Sequence, residues 1–157
     1  MITLRQTPDE YRRRLPHFQK SDRPLFVTFR KLVRDPLPPQ ARTLVLKHRL
    51  RDHGSRMLLH AAVVMPEHAH LLLTPLRDYA GWPIPLAKIL QLIKGASAHS
   101  VNQLLGKKGP LWQDESFDHV LRSDESFAEE VEYIRQNAVR RGLARVLEDY
   151  PWLWQGP

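Results

Sequence analysis

The alternation of apolar and polar positions predicts four strands. The β-branched and aromatic run Leu25–Arg30 is typical of a first strand. The nearly continuous apolar run Met57–Met65 predicts a strand that is buried on both faces. His68–Thr74 alternates more clearly, and the Pro66-Glu67 turn predicts that these two strands form a hairpin. A fourth strand is predicted around Asp118–Leu121.

Three segments carry helical spacing. Gln40–Asp52 predicts a basic helix that ends at Gly54, and Leu86–Leu105 predicts a long helix with one apolar face. The last helix is capped by Ser123 and Asp124, runs to about Arg141 and stops at Gly142. The order β-α-β-β-α-β plus a final helix predicts an α+β fold of the ferredoxin-like (RRM-like) class, with an antiparallel sheet covered by helices. Because this fold hosts many activities, it does not name a function.

The length and the ends of the chain indicate one domain over residues 1–157. Residues 1–24 form a basic segment that contains Pro8 and Pro16, and we interpret it as an arm. Residues 149–157 are rich in Trp and Pro, and we expect them to fold back on the body of the domain. No repeat and no domain linker is visible in the sequence.

Composition narrows the class of partner. The formal net charge is +7 and the pI is about 10.0, which favours contact with a polyanion such as nucleic acid. The absence of cysteine excludes disulfides, thiolate zinc sites and cysteine nucleophiles. No run approaches the roughly 20 apolar residues of a membrane helix, and no secretory signal is recognisable. We therefore expect a cytoplasmic protein, with no membrane partner. The sequence does not decide between a monomer and a homodimer.

Clusters of basic residues are candidate phosphate contacts along a nucleic-acid strand. For each single residue, an ordinary solvated charge is the alternative interpretation. The candidates are Arg12, Arg13, Arg14, Arg23, Lys47, His48, Arg49, Lys107, Lys108, Arg140 and Arg141.

Two histidines on the third predicted strand are candidate metal ligands. Residues two apart on a strand share a face, so His68 and His70 can reach one divalent cation. A lone His-x-His pair is a weak signal, because histidines that only pack are common. Two side chains are also too few for a good site, so a further ligand must come from another element.

The last helix offers such a ligand and a reactive group. Tyr133 and Asn137 are four residues apart and lie at the edge of the apolar stripe of the helix, which consists of Phe127, Val131, Ile134 and Ala138. From there a tyrosine hydroxyl can point into a cleft, and an amide oxygen can bind a hard cation. The alternative is that Tyr133 only packs and that Asn137 belongs to the helix end.

The motifs, taken together and in order, resemble those of the REP-associated tyrosine transposases, which are single-tyrosine HUH nucleases. The resemblance runs from about Arg13 to Trp154. It rests on Phe26-Val27-Thr28-Phe29-Arg30, Val64-Met65-Pro66-Glu67-His68-Ala69-His70-Leu71-Leu72, Leu111-Trp112-Gln113, Tyr133-Ile134-x-x-Asn137 and Gly142-Leu143.

The resemblance implies a metal-dependent endonuclease and strand transferase that acts on single-stranded or hairpin (REP-type) DNA. His68, His70 and Asn137 match the ligands of a divalent metal ion, Mg²⁺ or Mn²⁺, and Tyr133 matches the nucleophile that forms a 5′-phosphotyrosine. Lys94 matches a recurrent helix lysine, for which we expect a phosphate contact. Ala69 and Ala138 depart from the family, which usually has a bulkier residue and a proline at these positions.

Three other functions stay open. The chain can be a domesticated transposase that binds DNA without catalysis, although binding alone does not require the tyrosine, the histidines and the asparagine. It can be a metal-dependent hydrolase that uses water, with Tyr133 only structural. It can also be an RNA binder, but such a protein would present exposed aromatic side chains on its sheet, where the sequence predicts histidines instead.

Overall fold

The computed structural model describes residues 23–157, which form one antiparallel sheet with helices on both faces. The strands lie in the order β4-β1-β3-β2-β5, so the hairpin strands β2 and β3 are central. The predicted ferredoxin-like α+β class is confirmed. The elements are β1 (Leu25–Arg30), α1 (Pro39–Asp52), β2 (Met57–Val64), β3 (His68–Pro75), α2 (Leu86–Leu105), β4 (Phe117–Val120), α3 (Asp124–Arg140), a 3-10 turn (Leu147–Asp149) and β5 (Leu153–Gln155).

The C-terminal tail contributes an edge strand that the apolar pattern did not predict. Leu153–Gln155 pairs antiparallel with Ala61–Val63 of β2. The expectation that the tail folds back is therefore confirmed. Three residues are too few to show an alternating pattern, so the pairing depends on the exposed edge of β2 rather than on a local signal.

The two faces of the sheet bury separate apolar clusters. The larger cluster lies between the sheet and the helices α1 and α2, and includes Val27, Phe29 and Leu71 from the sheet and Ile89 and Ile93 from α2. The smaller cluster lies under α3 on the opposite face, where Phe26 and Leu72 pack near Ile134 and Ala138. Successive side chains of each strand thus point alternately into the two clusters, as they must on a β-strand.

Helix α3 is held at both ends. The hydroxyl of Ser123 accepts a hydrogen bond from the backbone N–H of Ser126 at 3.1 Å, which confirms the predicted cap. Gly142 ends the helix with a φ of 75°, a conformation that favours glycine. Beyond it, the hydroxyl of Tyr150 donates to the carbonyl of Val64 at 2.6 Å. These contacts fix the position of α3 over β2 and β3.

Arg49 is a correction to the predicted basic surface of α1. Its side chain is fully buried, its guanidinium lies 4.5 Å from the ring centroid of Phe29, and Nη1 donates to the carbonyl of Val45 at 2.5 Å. Burial lowers the pKa of Arg49 to about 9. A side chain inside the larger cluster cannot contact a DNA phosphate, so Arg49 is removed from the candidate contacts.

Candidate functional site

The two histidines of β3 lie on the face of the sheet that α3 covers. Their ring centroids are 4.7 Å apart, and both side chains are buried. β3 pairs with β1 so that His70 stands opposite Thr28 and His68 opposite Arg30. The hydroxyl of Thr28 lies 2.8 Å from Nδ1 of His70. This bond occupies one ring nitrogen of His70 and leaves Nε2 as the nitrogen that can bind a metal.

Both imidazoles are held in the neutral form that a metal requires. Burial, together with the positive charges of Arg30 and Arg141, lowers the pKa of His68 to about 4. Burial, His68 and the charges of Arg30, Arg140 and Arg141 lower the pKa of His70 to about 3. Near neutral pH neither ring carries a proton that a cation would have to displace.

Helix α3 places the tyrosine beside this pair. The ring centroid of Tyr133 is 5.5 Å from that of His70, and the two rings meet at 71°. The Tyr133 side chain is 42% exposed, so it is reachable from solvent although its ring is packed. The guanidinium of Arg140 lies over the Tyr133 ring, 4.3 Å from its centroid. The predicted proximity of Tyr133 and the histidines is therefore present in the structure.

Asn137 carries an unusual buried atom one turn further along α3. The residue is 3% exposed, between the buried Ile134 and Ala138, and its Oδ1 has no hydrogen-bond partner among the described residues. A buried amide oxygen without a partner is costly, and such groups in native proteins often await a ligand.

The donor set on this face fits a divalent cation. Two neutral imidazoles and one buried amide oxygen are ligands that several divalent ions accept. Within residues 23–157, no three His, Asp or Glu side chains come close enough to share an ion. A site built on this face from these described residues therefore needs a donor of another type, and the Oδ1 of Asn137 is such a donor.

Phe26, which belongs to one of the family motifs but had no predicted role, is a member of the site. Its ring packs against His70 at 5.4 Å, against Tyr133 at 5.8 Å and against His119 at 5.4 Å between centroids. It stands on β1, two residues before Thr28 and on the same face. The three rings of Phe26, His70 and Tyr133 contact one another, so Phe26 supports the contact between the tyrosine and the histidine. Only its position in the strand, with the same parity as Thr28, could have indicated this.

Positive charge surrounds the site, partly from a residue outside the predicted set. Arg140 and Arg141, predicted as phosphate contacts, end α3 beside the histidines, and both depress the pKa of His70. Arg30 was not predicted, yet it is exposed at the end of β1 and acts on both histidines. Three guanidinium groups thus lie within electrostatic reach of one small region of the surface.

Other predicted contacts have partners inside the protein. The guanidinium of Arg23 donates to the carbonyl of Leu121 at 3.1 Å. Lys107 lies 3.2 Å from Asp35, which Lys31 also binds, and the two ammonium groups lower the pKa of Asp35 to about 2. Lys108 is exposed, next to Lys107. Arg12, Arg13 and Arg14 lie outside the described residues.

Lys94, for which the resemblance implied a phosphate contact, forms hydrogen bonds within the protein. Its Nζ donates to the carbonyls of Gln113 and Asp114 at 2.6 and 3.0 Å, and to the hydroxyl of Ser116 at 3.2 Å. A lysine ammonium has three protons to donate, and here all three can be used within the protein. Lys94 therefore ties α2 to the loop before β4.

Comparison with known proteins gives the same family as the motifs. A Haemophilus influenzae protein, provisionally named a REP-associated tyrosine transposase, is 27% identical over 97 residues, which are 59% of this chain and 55% of the relative. A solved REP-associated tyrosine transposase bound to a REP hairpin has a TM-score of 0.63 at 24% identity, covering 84% of this chain and 76% of that one. The predicted resemblance to REP-associated tyrosine transposases is confirmed.

The similarity to these proteins is partial in sequence and broad in fold. The match spans only about half, 55%, of the length of the Haemophilus influenzae relative. No protein-family model matches the chain. A bacterial tRNA(His) guanylyltransferase-like protein in complex with GTP shares the fold, with a TM-score of 0.51 at 15% identity over 92% of this chain and 78% of that one. Because a protein with a different name shares the sheet and helices, the resemblance to REP-associated tyrosine transposases depends on the sequence motifs as well as on the fold.

No helix of residues 23–157 combines the length and the hydropathy needed to cross a bilayer.

Proposed function

We propose that this chain is a metal-dependent endonuclease and strand transferase for single-stranded DNA beside a hairpin, with Tyr133 as its nucleophile. The observation that carries the proposal is the contact between Tyr133 and His70, whose ring centroids are 5.5 Å apart. A second neutral histidine, His68, lies 4.7 Å from His70 between ring centroids, and Asn137, one helical turn after Tyr133, carries a buried amide oxygen without a partner among the described residues. A protein that only binds DNA has no use for this combination.

His68, His70 and Asn137 would hold a divalent ion, Mg²⁺ or Mn²⁺. When bound, the ion supplies Lewis-acid stabilisation of the charge that develops on the phosphoryl oxygens. The chain itself prepares the ligands, since burial keeps both imidazoles unprotonated and the hydroxyl of Thr28 orients His70. Phe26 keeps the tyrosine ring beside the histidine ring.

The reaction is a transesterification at phosphorus. The phenolic oxygen of Tyr133 loses its proton and bonds to the scissile phosphorus, while the bond from phosphorus to the 3′ oxygen breaks and that oxygen takes up a proton. The products are a 5′-phosphotyrosine and a free 3′-hydroxyl. Because the number of phosphodiester bonds is unchanged, another 3′-hydroxyl can attack the phosphotyrosine and rejoin the strand.

Charge around the site favours a nucleic-acid substrate. Arg30, Arg140 and Arg141 lie near the histidines, where a phosphate backbone would be attracted. The solved relative is bound to a REP hairpin, and we propose DNA of this kind as the partner of this chain. A hairpin presents a duplex stem next to unpaired nucleotides, so the reacting phosphate can be reached without opening a long duplex.

A covalent-adduct assay tests the proposal. The protein is incubated with Mn²⁺ and hairpin DNA taken from repeats beside its gene, and a denaturing gel is read for a protein-DNA adduct. We expect an adduct with the wild type and none with Tyr133→Phe or His68→Ala. Tyr79→Phe is the matched control, because Tyr79 is fully exposed on the loop after β3; it should form the adduct at the wild-type rate.

The possible results separate the competing functions. Cleavage that persists in Tyr133→Phe would identify water as the nucleophile. Tight binding without cleavage, on every hairpin and with either metal ion, would identify a non-catalytic DNA-binding protein. An adduct that persists in His68→Ala would exclude His68 as an essential ligand.

A further inference from the structure

An exposed phenylalanine stands on the reactive face of the sheet. Phe117 begins β4 and is 71% exposed. It pairs with Thr28 of β1 in the antiparallel register, and residues that stand opposite each other in such a pair share a face. The Phe117 ring therefore lies on the same face as the hydroxyl that bonds His70. The predicted fourth strand began one residue later, so the sequence analysis missed this aromatic side chain.

Phe117 forms one side of a pocket that adjoins the histidine site. The pocket has a volume of about 390 Å³ and is lined by Thr28, Arg30, Gln113, Glu115, Ser116 and Phe117. Thr28 also hydrogen-bonds His70, and Arg30 pairs with His68 across the strands. The lining of the pocket thus includes one residue that contacts His70 and one that stands opposite His68.

The loop residues that line this pocket, Gln113, Glu115 and Ser116, belong to a segment that hydrogen bonds hold in place. Lys94 binds the carbonyls of Gln113 and Asp114 and the hydroxyl of Ser116. Gln113 is also bound to β1, because its backbone N–H donates to the carbonyl of Arg30 at 2.8 Å and its amide donates to the carbonyl of Lys31 at 3.3 Å. A preformed wall lowers the ordering cost of binding a ligand there.

We propose that this pocket binds one unpaired nucleobase next to the scissile phosphate, with the base stacked on Phe117. The inference rests on the proposed function and specifies how the DNA strand is seated beside the site. The aromatic ring offers a stacking surface that any base can use. Arg30 lies between the pocket and the histidines, where it can neutralise the phosphate that links the bound nucleotide to the reacting one.

The charge of the pocket favours a base over a phosphate as its occupant. Glu115 lines the pocket and is exposed. Its carboxylate repels a phosphate but can accept a hydrogen bond from the amino group of a base. Arg30 is the positive group of the lining and Glu115 is the negative one. A nucleotide should therefore bind with its phosphate near Arg30 and its base near Glu115.

An abasic scan tests the pocket. The DNA is a hairpin with several unpaired nucleotides on each side of the stem, and single abasic sites are placed at each unpaired position in turn. Binding is measured by fluorescence anisotropy in a Tyr133→Phe background, which lacks the reactive hydroxyl. We expect one unpaired position at which loss of the base weakens binding about tenfold.

The variants assign that position to Phe117. Phe117→Ala should weaken binding of the intact DNA about tenfold, and the penalty for the abasic site should then disappear, since the two losses remove the same contact. Phe117→Trp should keep both the affinity and the penalty, because indole also stacks. Tyr79→Ala is the matched control: it removes an exposed aromatic ring on the loop after β3, outside the pocket lining, and should leave the scan unchanged.

Two results would overturn the pocket: a scan without any sensitive unpaired position, or a penalty of the same size in Phe117→Ala as in its parent. The adduct assay with Tyr133 restored separates this failure from failure of the chemistry. If the adduct forms but no unpaired position is sensitive to loss of its base, the proposed nucleobase pocket is rejected and the proposed nuclease activity is kept. A Phe117-dependent position without any adduct keeps the pocket and rejects the nuclease. Absence of any binding to the hairpin rejects both.

Discussion

The hydroxyl of Thr28 positions His70 for metal binding. Oγ1 of Thr28 lies 2.8 Å from Nδ1 of the imidazole, and both residues are buried. Thr28→Val keeps the shape of the side chain and removes this bond. Because such supporting partners commonly contribute 10- to 100-fold to metal affinity, we expect Mn²⁺ binding to weaken by about tenfold or more. Isothermal titration calorimetry on the folded protein measures the change.

A second threonine-histidine pair provides the control. The hydroxyl of Thr74 lies 2.8 Å from Nε2 of His60 on the same sheet, at the end away from His68. Thr74→Val removes an equivalent bond and should leave the Mn²⁺ affinity unchanged. Equal losses in both variants would mean that the effect of Thr28→Val is a general loss of stability.

The neutral histidines predict how stability depends on pH. In the unfolded chain both titrate near 6.5, whereas the pKa of His68 is about 4 and that of His70 about 3 in the folded protein. The unfolded chain takes up protons first as the pH falls. The free energy of unfolding should therefore fall as the pH drops below about 7, by on the order of 2 kcal/mol for each histidine and about 4 kcal/mol for the two by about pH 5, and level off below the folded pKa values.

Urea unfolding with EDTA present measures this dependence on the metal-free protein. The variant His68→Gln/His70→Gln should have a shallower pH profile. His48 and His60, whose pKa values burial also lowers, contribute equally to both proteins. A profile of unchanged slope in the double variant would show that His68 and His70 are protonated as easily in the folded protein as in the unfolded chain.

Single residues differ in how much of their role the sequence reveals. The spacing of His68 and His70 on a strand was enough to predict their common face. Thr28, Phe26 and Phe117 reach the site only because β1 lies between β3 and β4. That order is a property of long-range pairing, which no local pattern of apolar residues contains. The hydrogen bonds of Lys94 were not predictable for the same reason, since its three acceptors lie 19 to 22 residues further along the chain.

The loop between α2 and β4 depends on Lys94 for its place. Lys94→Met keeps most of the aliphatic length of the side chain and removes all three hydrogen bonds to residues 113–116. We expect amide hydrogen exchange in residues 113–117 to become faster, by about tenfold or more, because local opening no longer breaks these bonds. Hydrogen exchange followed by mass spectrometry resolves this segment.

Lys88→Met is the matched control, because Lys88 is exposed on the first turn of the same helix. It should leave exchange in residues 113–117 at the wild-type rate. DNA binding distinguishes the two roles of Lys94. If Lys94 contacts a phosphate, Lys94→Met should lower the slope of log K against log salt by about one. If Lys94 only holds the loop in place, the variant should weaken binding without changing this slope.

Helices and strands were predictable where the apolar period is long. Leu86–Leu105 was predicted with the bounds that the structure has, and the first residue of β2 and of β3 was also right. The short edge strands were the weak points. β4 begins at Phe117 and not at Asp118, and β5 was missed. Both have few residues and one open edge, so their limits depend on the partner strand.

Within residues 23–157, two basic pairs lie in different layers of the fold. Arg140 and Arg141 end α3, which covers the face of the sheet that carries the histidines, and both act on His70. Lys107 and Lys108 follow α2, which packs against the opposite face. Lys107 is also paired with Asp35 at 3.2 Å. Of these two basic pairs, Arg140 and Arg141 therefore border the site, and Lys107 and Lys108 lie in the layer behind it.

This arrangement predicts unequal effects from equal changes in net charge. Arg140→Gln/Arg141→Gln and Lys107→Gln/Lys108→Gln each remove two positive charges. Because each lost phosphate contact lowers the slope of log K against log salt by about 0.7 to 0.9, the arginine pair should lower it by about 1.5. The lysine pair should change it by less than about 0.5. Anisotropy titrations with hairpin DNA at several salt concentrations give both slopes. Equal changes would mean that the DNA responds to net charge alone, and the proposed attraction of the phosphate backbone to Arg140 and Arg141 would have to be abandoned.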